Sequence, residues 1–297
     1  MITLRHHVLT IVAVFLALAA GIVLGGGPLS DVGATVATAG KDEDAPPAGA
    51  SPQAGYNEAF LSAVGPSMIG GRLADRSVAV VTVPGADERI VTALADGIAA
   101  AGGTVSARYS LTDDLVDPAQ KSLVDTLGSQ LLTQQAKGAV APEASTYDRI
   151  GQLLGLAVAS KAAEGEDVNG KARGIVDAIS GAGLLTKPDK VSQRSPLVLL
   201  VLGTDADDDG SDAILAGLAE GLAAQATGVV VAGTTADGAS GQLGRLRGDP
   251  AAAAVASVDG TDTTAGRVAT IVTLQRSLGN QGGSYGASGS DGPLPLG

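Results

Sequence analysis

Two apolar runs in this chain have the composition of buried β-strands, and each leads through an acidic turn into a helix-like pattern. The first, SVAVVTV, spans residues 77–83, and the second, PLVLLVLG, spans residues 196–203. Runs of this length that are rich in Val and Leu are typical of strands covered on both faces, as in parallel sheets. This pattern restricts the body of the chain to an α/β fold.

The residues after the first run indicate how the sheet is connected. Apolar residues recur at helical spacing from Ile90 to Ala101, and Gly102 and Gly103 follow as a helix end. The segment TVSARYSL (104–111) then predicts a second strand, which completes a βαβ unit. Strands and helices alternate again after residue 196. We therefore predict a Rossmann-like α/β body with parallel βαβ units, built as one body or as two halves.

Composition and periodicity divide the chain into six predicted segments. The segments are a membrane anchor at 1–29, a flexible spacer at 30–55, a first α/β half at 56–140, a helical connection at 141–195, a second α/β half at 196–278 and a disordered tail at 279–297. The spacer and the tail are assigned because both are rich in small residues and lack an apolar period.

The predicted anchor contains no charged residue from Val8 to Leu24. The run is long enough for a helix that spans a bilayer and longer than the usual core of a signal peptide, although a cleaved signal remains the alternative. Because Arg5 precedes it, the positive-inside rule predicts a single-pass envelope protein with a cytoplasmic N terminus and an extracytoplasmic body. The side chains expected to contact lipid are Val8, Ile11, Val12, Val14, Phe15, Leu16, Leu18, Ile22, Val23 and Leu24.

The composition also excludes several function classes. The net charge of −12 disfavours nucleic acid as a partner, since phosphate binding needs a basic surface. The chain has no Cys, and its two histidines, His6 and His7, precede the anchor. The body therefore has no thiolate nucleophile and no His general base, and it has no nucleotide-binding or hydrolase motif. We predict a protein that is not an enzyme and binds no cofactor tightly.

The segment GTDADDDGSDA (203–213) is the strongest local signal for a ligand. Asp205, Asp207 and Asp209 match alternate ligand positions of an EF-hand calcium loop, but Ala216 stands where that loop needs a bidentate Glu. The segment also follows a predicted strand, so an EF-hand is excluded. A looser cation site at these three residues is the prediction. The alternative is an exposed acidic turn, with Ser211 and Asp212 capping the next helix.

Other predicted strand ends are acidic as well, at Asp87, Asp237, Asp259 and Asp262. The carboxyl ends of parallel strands meet at one edge of a sheet, where ligands of α/β proteins bind. A negative edge favours cations over nucleotides. The alternative is that these carboxylates cap helices.

Both ends of the chain resemble a known family. ITLRHHVLTIVAVFLALAAGIVLGGGPLSD (2–31) and SVDGTDTTAGRVATIVTLQRSLGNQGGSYG (257–286) are similar to the actinobacterial and mycobacterial copper transporter family MctB. The resemblance implies a cell-envelope protein of copper efflux or resistance that forms pores as a homo-oligomer at the outer membrane, with copper ions and the membrane as partners. Residues 30–55 depart from the family, whose members usually carry a longer, charged helix there.

The residues of the body offer copper few of its preferred ligands. Met68 is the one thioether beyond the anchor, and no His or Cys follows residue 7. The sequence thus permits weak carboxylate binding of Cu(II) or an indirect role in copper handling. The alternative function is a membrane-anchored, non-enzymatic α/β module that binds or scaffolds a partner in the envelope.

Overall fold

The computed structural model describes residues 51–141 and 143–295. The chain divides into two compact units, Met1–Ala59 and Phe60–Gly297. The predicted anchor at 1–29 and the predicted spacer up to residue 50 lie outside the described residues. Within 51–141 and 143–295, no helix is both long enough and apolar enough to cross a membrane.

Helices and strands alternate through the described residues. The helices are α1 (Pro52–Ile69), α2 (Glu88–Ala100), α3 (Asp113–Val116), α4 (Lys121–Gln135), α5 (Thr146–Val158), α6 (Gly170–Gly181), α7 (Asp209–Gln225), α8 (Gln242–Arg247) and α9 (Thr264–Arg276), with short 3-10 helices at Pro118–Gln120 and Pro250–Ala254. The strands are β1 (Ser77–Thr82), β2 (Thr104–Leu111), β3 (Glu166–Asp167), β4 (Leu185–Thr186), β5 (Gln193–Arg194), β6 (Leu197–Val201), β7 (Gly228–Ala232), β8 (Ala256–Val258) and β9 (Ser284–Tyr285).

Seven strands of the described chain form one sheet in the order β4-β2-β1-β6-β7-β8-β9. Every neighbouring pair is parallel except β2 and β4, and Val80 of β1 pairs with Leu199 of β6, which pairs with Val230 of β7. The prediction of an α/β body with parallel βαβ units is confirmed. The two predicted halves, 56–140 and 196–278, instead share this sheet, because β1 from the first pairs directly with β6 from the second.

Alternate residues of the central strands face opposite sides of the sheet, and both sides are buried. Val81 and Leu200 belong to the apolar core on the side of α4, α5, α6 and α7. Val80 and Leu199 belong to the core on the side of α2 and α9. Because helices cover both faces of the sheet, these strands are apolar at consecutive positions and do not alternate between apolar and polar residues.

Side-chain caps fix where most of the long helices begin. Asp87, Ser145, Asn169, Asp208 and Thr263 each accept a hydrogen bond from a backbone N–H in the first turn of α2, α5, α6, α7 and α9. These caps satisfy N–H groups that have no partner within the helix. The chain therefore enters each helix at a defined residue directly after a loop.

Helices α5 and α7 approach each other at glycines. A methyl group at Gly151 would lie 2.6 Å from the carbonyl oxygen of Leu218, and one at Gly221 would clash with the carbonyl oxygen of Asp148. The two helices can pack this closely because neither carries a side chain at these points.

The segment predicted as a disordered tail, 279–297, is ordered over the residues that the structure describes. Ser284 and Tyr285 form β9, which extends the sheet beside β8. This strand was not predicted, because it has two residues and lies in a Gly-rich segment. The prediction of the spacer boundary also changes, since α1 begins at Pro52.

Candidate functional site at the carboxyl edge of the sheet

The order in which the chain adds strands reverses between β1 and β6, since β2 lies on one side of this pair and β7 on the other. This is the position at which α/β proteins open a ligand crevice. Here the loops that follow the two strands lie against each other. The backbone N–H of Thr204 donates to the carbonyl oxygen of Pro84 at 2.9 Å. A Cβ atom at Gly203 would clash with the same oxygen, and one at Gly85, whose φ is +81°, would clash with Thr204. Close backbone contact therefore fills the position of the usual crevice.

The acidic loop, residues 203–208, connects β6 to α7. It holds two of the three predicted cation ligands, Asp205 and Asp207. Oδ1 of Asp205 accepts a hydrogen bond from the backbone N–H of Asp207 at 2.8 Å, and Asp207 adopts a positive φ of 51°. The third predicted ligand, Asp209, is the first residue of α7. The prediction that Ser211 and Asp212 cap α7 is wrong, because the helix begins after Asp208.

Asp208 is the residue that caps α7. Its carboxylate accepts from the backbone N–H of Ser211 at 2.8 Å and from the Ser211 hydroxyl at 2.8 Å. These two hydrogen bonds lower the pKa of Asp208 below its ordinary value. One acid of the loop thus serves the helix terminus, where the helix dipole favours negative charge.

Arg245 of α8 lies among three carboxylates, those of Asp205 and Asp207 in the loop and that of Asp212 in α7. Its guanidinium is 2.7 Å from Asp205, 2.5 Å from Asp212 and 3.6 Å from Asp207. The side chains of Asp205 and Asp212 are 27% and 15% exposed, whereas that of Asp207 is 92% exposed. Arg245 therefore brings together three acids and supplies a positive charge to the place where a cation would bind.

Asp205, Asp207, Asp212 and Arg245 form one charged cluster. The effect of Arg245 on its neighbours appears as a shift in the pKa of Asp205. Burial acts to raise that pKa, but hydrogen bonds from Arg245 and from the backbone N–H of Asp207 outweigh burial and lower it. Hydrogen bonds to Asp212 and Asp205 raise the pKa of Arg245. Asp205 is ionised and Arg245 is protonated at neutral pH, so a metal ion at Asp205 has to compete with the guanidinium.

Hydrogen bonds also occupy the carboxylates at the other strand ends. Asp87 caps α2, and Asp237 accepts from the backbone N–H of Thr234 at 2.6 Å. Asp262 accepts from the backbone N–H of Thr235 at 2.6 Å and so ties the loop after β8 to the loop after β7. Within residues 51–141 and 143–295, no group of three or more His, Cys, Asp or Glu side chains is arranged to hold a metal ion.

Asp259, at the end of β8, is the most buried of these acids, with no exposed surface. Nη2 of Arg247 lies 3.4 Å from its Oδ1, and the backbone N–H and the hydroxyl of Ser288 donate to its Oδ2 at 2.9 and 2.5 Å. Arg247 also donates to the carbonyl oxygen of Tyr285 at 2.7 Å. Sequence reasoning missed this cluster, although two arginines two residues apart in QLGRLR were a visible signal.

Met68, the thioether of the body, lies on α1 with 38% of its surface exposed. It lines a cavity of about 170 Å³ together with apolar residues of α9 and the C-terminal segment, among them Val268 and Leu294. Asp259 also lines this cavity, but its carboxylate is engaged by Arg247 and Ser288. The predicted lipid-contacting residues and both histidines lie outside the described residues.

Comparison with known proteins identifies the family to which the whole chain belongs. The family model described as "Copper transport outer membrane protein, MctB" matches residues 1–295. The chain belongs to the MctB family. Curated relatives named "Copper transporter MctB" are 29% identical to it over 312 residues in Mycobacterium bovis and Mycobacterium tuberculosis, and over 315 residues in Mycobacterium leprae, with 96% of each chain covered.

The match to the MctB family confirms the resemblance carried by the two ends of the sequence and extends it through the α/β body. The family description names copper transport and the outer membrane and does not name a catalytic activity. The family match therefore supplies the functional class, while among the described residues no group of three or more His, Cys, Asp or Glu side chains is arranged to hold a metal ion.

Proposed function

We propose that this protein is a cell-envelope copper efflux component that confers copper resistance, with copper ions as its cargo. The observation that carries the proposal is the family match from residue 1 to residue 295, supported by relatives named as copper transporters over 96% of their length. A pore formed by a homo-oligomer at the outer membrane is the form of transport that we propose. The apolar run from Val8 to Leu24 supports an N-terminal anchor with the α/β body outside.

Asp205, Asp207 and Asp209 are the residues that we propose for contact with copper. Carboxylates bind Cu(II) more weakly than imidazole or thiolate ligands do. Weak binding suits transport, since a conducted ion has to leave each site that it enters. Arg245 weakens binding further, because the guanidinium already neutralises Asp205.

A strain that lacks this chain tests the proposed efflux. We expect the deletion to grow at lower copper concentrations than its parent and to accumulate more cell copper, and we expect the full-length gene to restore both. The control is growth in zinc, which should not change. Unchanged copper sensitivity together with unchanged cell copper would refute copper efflux.

A non-enzymatic binding or scaffolding module anchored in the envelope is the second candidate. The ion pairs between Arg245 and Asp205 and Asp212 favour it, since they satisfy the acidic loop without a metal ion. Crosslinking in cells should then capture one defined partner. Micromolar copper binding by the purified protein, with no crosslinked partner, would exclude this second candidate.

A further inference from the structure

A cavity of about 550 Å³ lies between β2, α5, α6 and the segment at 187–192. Its volume is within the range of cavities that bind small organic molecules. None of the acids discussed at the carboxyl edge of the sheet lines it. Ala157, Val176 and Val191 contribute apolar surface to its walls.

Tyr109 of β2 is a buried polar side chain that lines this cavity. It is 1% exposed, and it lies on the same side of β2 as Ala107 and Leu111. Its hydroxyl has no hydrogen-bond partner among the residues that the structure describes. Burial raises the pKa of Tyr109 to about 12, so the hydroxyl keeps its proton at neutral pH and is available as a donor. Because Tyr109 lines the cavity, its hydroxyl can donate a hydrogen bond to an acceptor on a molecule bound there.

Charged side chains at the cavity carry a local excess of positive charge. Arg173, Lys187 and Lys190 line it together with two carboxylates, Asp177 and Asp189. Nζ of Lys187 is 3.1 Å from Asp177. Arg173 and Lys190 form no ion pair within the described part of the chain. This excess stands out in a chain with a net charge of −12.

We propose that this cavity binds a small organic anion with a carboxylate head and an apolar ring or chain. A carboxylate oxygen accepts the hydrogen bond that the Tyr109 hydroxyl can donate, and Arg173 and Lys190 neutralise its charge. The apolar part of the ligand packs against Val176 and Val191. A metal cation would meet repulsion from the same arginine and lysines. The proposal concerns a site other than the acidic loop and holds whether or not the protein transports copper.

The probe that tests the proposal is 2-naphthoate, a fluorescent carboxylate with an apolar double ring. Full-length protein in detergent is titrated by fluorescence anisotropy, with detergent alone as the blank. The chain has no Trp, so the naphthoate emission is measured without a tryptophan background. The neutral analogue 2-naphthalenemethanol has the same rings without the charge and reports nonspecific apolar binding.

We expect saturable binding of one 2-naphthoate per chain and weaker binding of the alcohol. Tyr109→Phe should weaken 2-naphthoate binding about fivefold, the net effect of one hydrogen bond. The double variant Arg173→Gln/Lys190→Gln should weaken it more strongly at low salt than at high salt. The matched control is Lys121→Gln/Lys161→Gln, which removes the same charge from exposed positions that do not line the cavity.

Absence of saturable binding above the detergent blank would overturn the proposal, as would equal binding of the acid and the alcohol. Affinity in the Arg173→Gln/Lys190→Gln variant equal to that of the control would also overturn it. Because Arg173 and Lys190 are exposed, their replacement preserves the fold. This variant therefore decides the matter even if Tyr109→Phe does not fold.

Discussion

Arg247 binds Asp259 through an ion pair in which Nη2 lies 3.4 Å from Oδ1 and the aspartate side chain has no exposed surface. The pair joins α8 to the end of β8, and the hydrogen bond from Arg247 to the carbonyl oxygen of Tyr285 extends the link to β9. A fully buried carboxylate is tolerated only when charges and hydrogen bonds compensate it. Arg247 therefore holds the last strand of the sheet in place.

Replacement of Arg247 by Met should lower the free energy of unfolding by about 3 kcal/mol, because it leaves the Asp259 carboxylate buried without its cation. Urea unfolding of the full-length protein, followed by circular dichroism, measures the change. The double variant Arg247→Met/Asp259→Asn should lose less stability than Arg247→Met alone, since the buried charge is then absent. The matched control is Arg89→Met, which removes an ion pair from a side chain that is 92% exposed and should leave the unfolding midpoint nearly unchanged.

Replacement of Gly221 by Ala should destabilise the protein by about 2 kcal/mol, a typical cost of overpacking, since a methyl group there clashes with the backbone of α5. The control is Gly181→Ala at the end of α6, where the added carbon has no neighbour within 4 Å beyond the adjacent residues and the backbone of its own helix. It should be neutral or slightly stabilising, because Ala loses less backbone entropy than Gly on folding. Equal unfolding midpoints for the two variants would contradict the close approach of α5 and α7.

The sheet could be predicted because the sequence of each central strand indicates that the strand is buried on both faces. The apolar runs of β1 and β6 remain apolar at consecutive positions, since both faces of the sheet are covered by helices. The strand β9 could not be predicted in this way. It has two residues in a Gly-rich segment, and it forms because the edge of β8 is available for pairing. Pairing with a distant strand leaves no periodic signal in so short a segment.

The acidic loop was predicted as a cluster of acids, but its partner was not. Asp205 and Arg245 are 40 residues apart in sequence, and only the packing of α8 against the loop brings them together. The same holds for Asp259 and Arg247, which are 12 residues apart. Local sequence shows where charges occur, whereas tertiary packing determines which charges neutralise each other. The cation site at Asp205, Asp207 and Asp209 stays a prediction.

The alkaline titration of the tyrosines should show one late ionisation. Burial raises the pKa of Tyr109 to about 12, whereas the pKa of an unfolded tyrosine is about 10. Stability should fall as pH rises from about 10 to about 12, because the unfolded state then loses a proton that the folded state keeps. Absorbance at the tyrosinate band measures the ionisation.

Tyr109→Phe is the control for this titration, and it should remove the late step while leaving the earlier ones. The chain has four tyrosines, so the loss of one is measurable. Tyr147→Phe is a second control. Burial and the charge of Asp117 also raise the pKa of Tyr147, but the late step near 12 should persist without it. Tyr109 ionising together with an exposed tyrosine would contradict its burial.

Replacement of Arg245 by Gln should strengthen Cu(II) binding at the acidic loop. Removal of the guanidinium frees the carboxylates of Asp205 and Asp207 and removes a like charge from the position that the metal ion would take. Titration of the full-length protein with Cu(II), followed by electron paramagnetic resonance, should show tighter binding to this variant than to the wild type, with oxygen ligands. Zn(II) at equal concentration serves as the competitor.

The variant Arg245→Gln/Asp205→Asn/Asp207→Asn separates this loop from other carboxylates of the acidic chain. It should lose the gain in Cu(II) affinity, since amides carry no charge to attract the ion. A matched pair of substitutions, Asp113→Asn and Asp114→Asn on α3, removes the same charge elsewhere and should preserve the gain. If Arg245→Gln binds Cu(II) no more tightly than the wild type, the guanidinium and copper do not compete for these acids, and the predicted cation site at the loop is refuted.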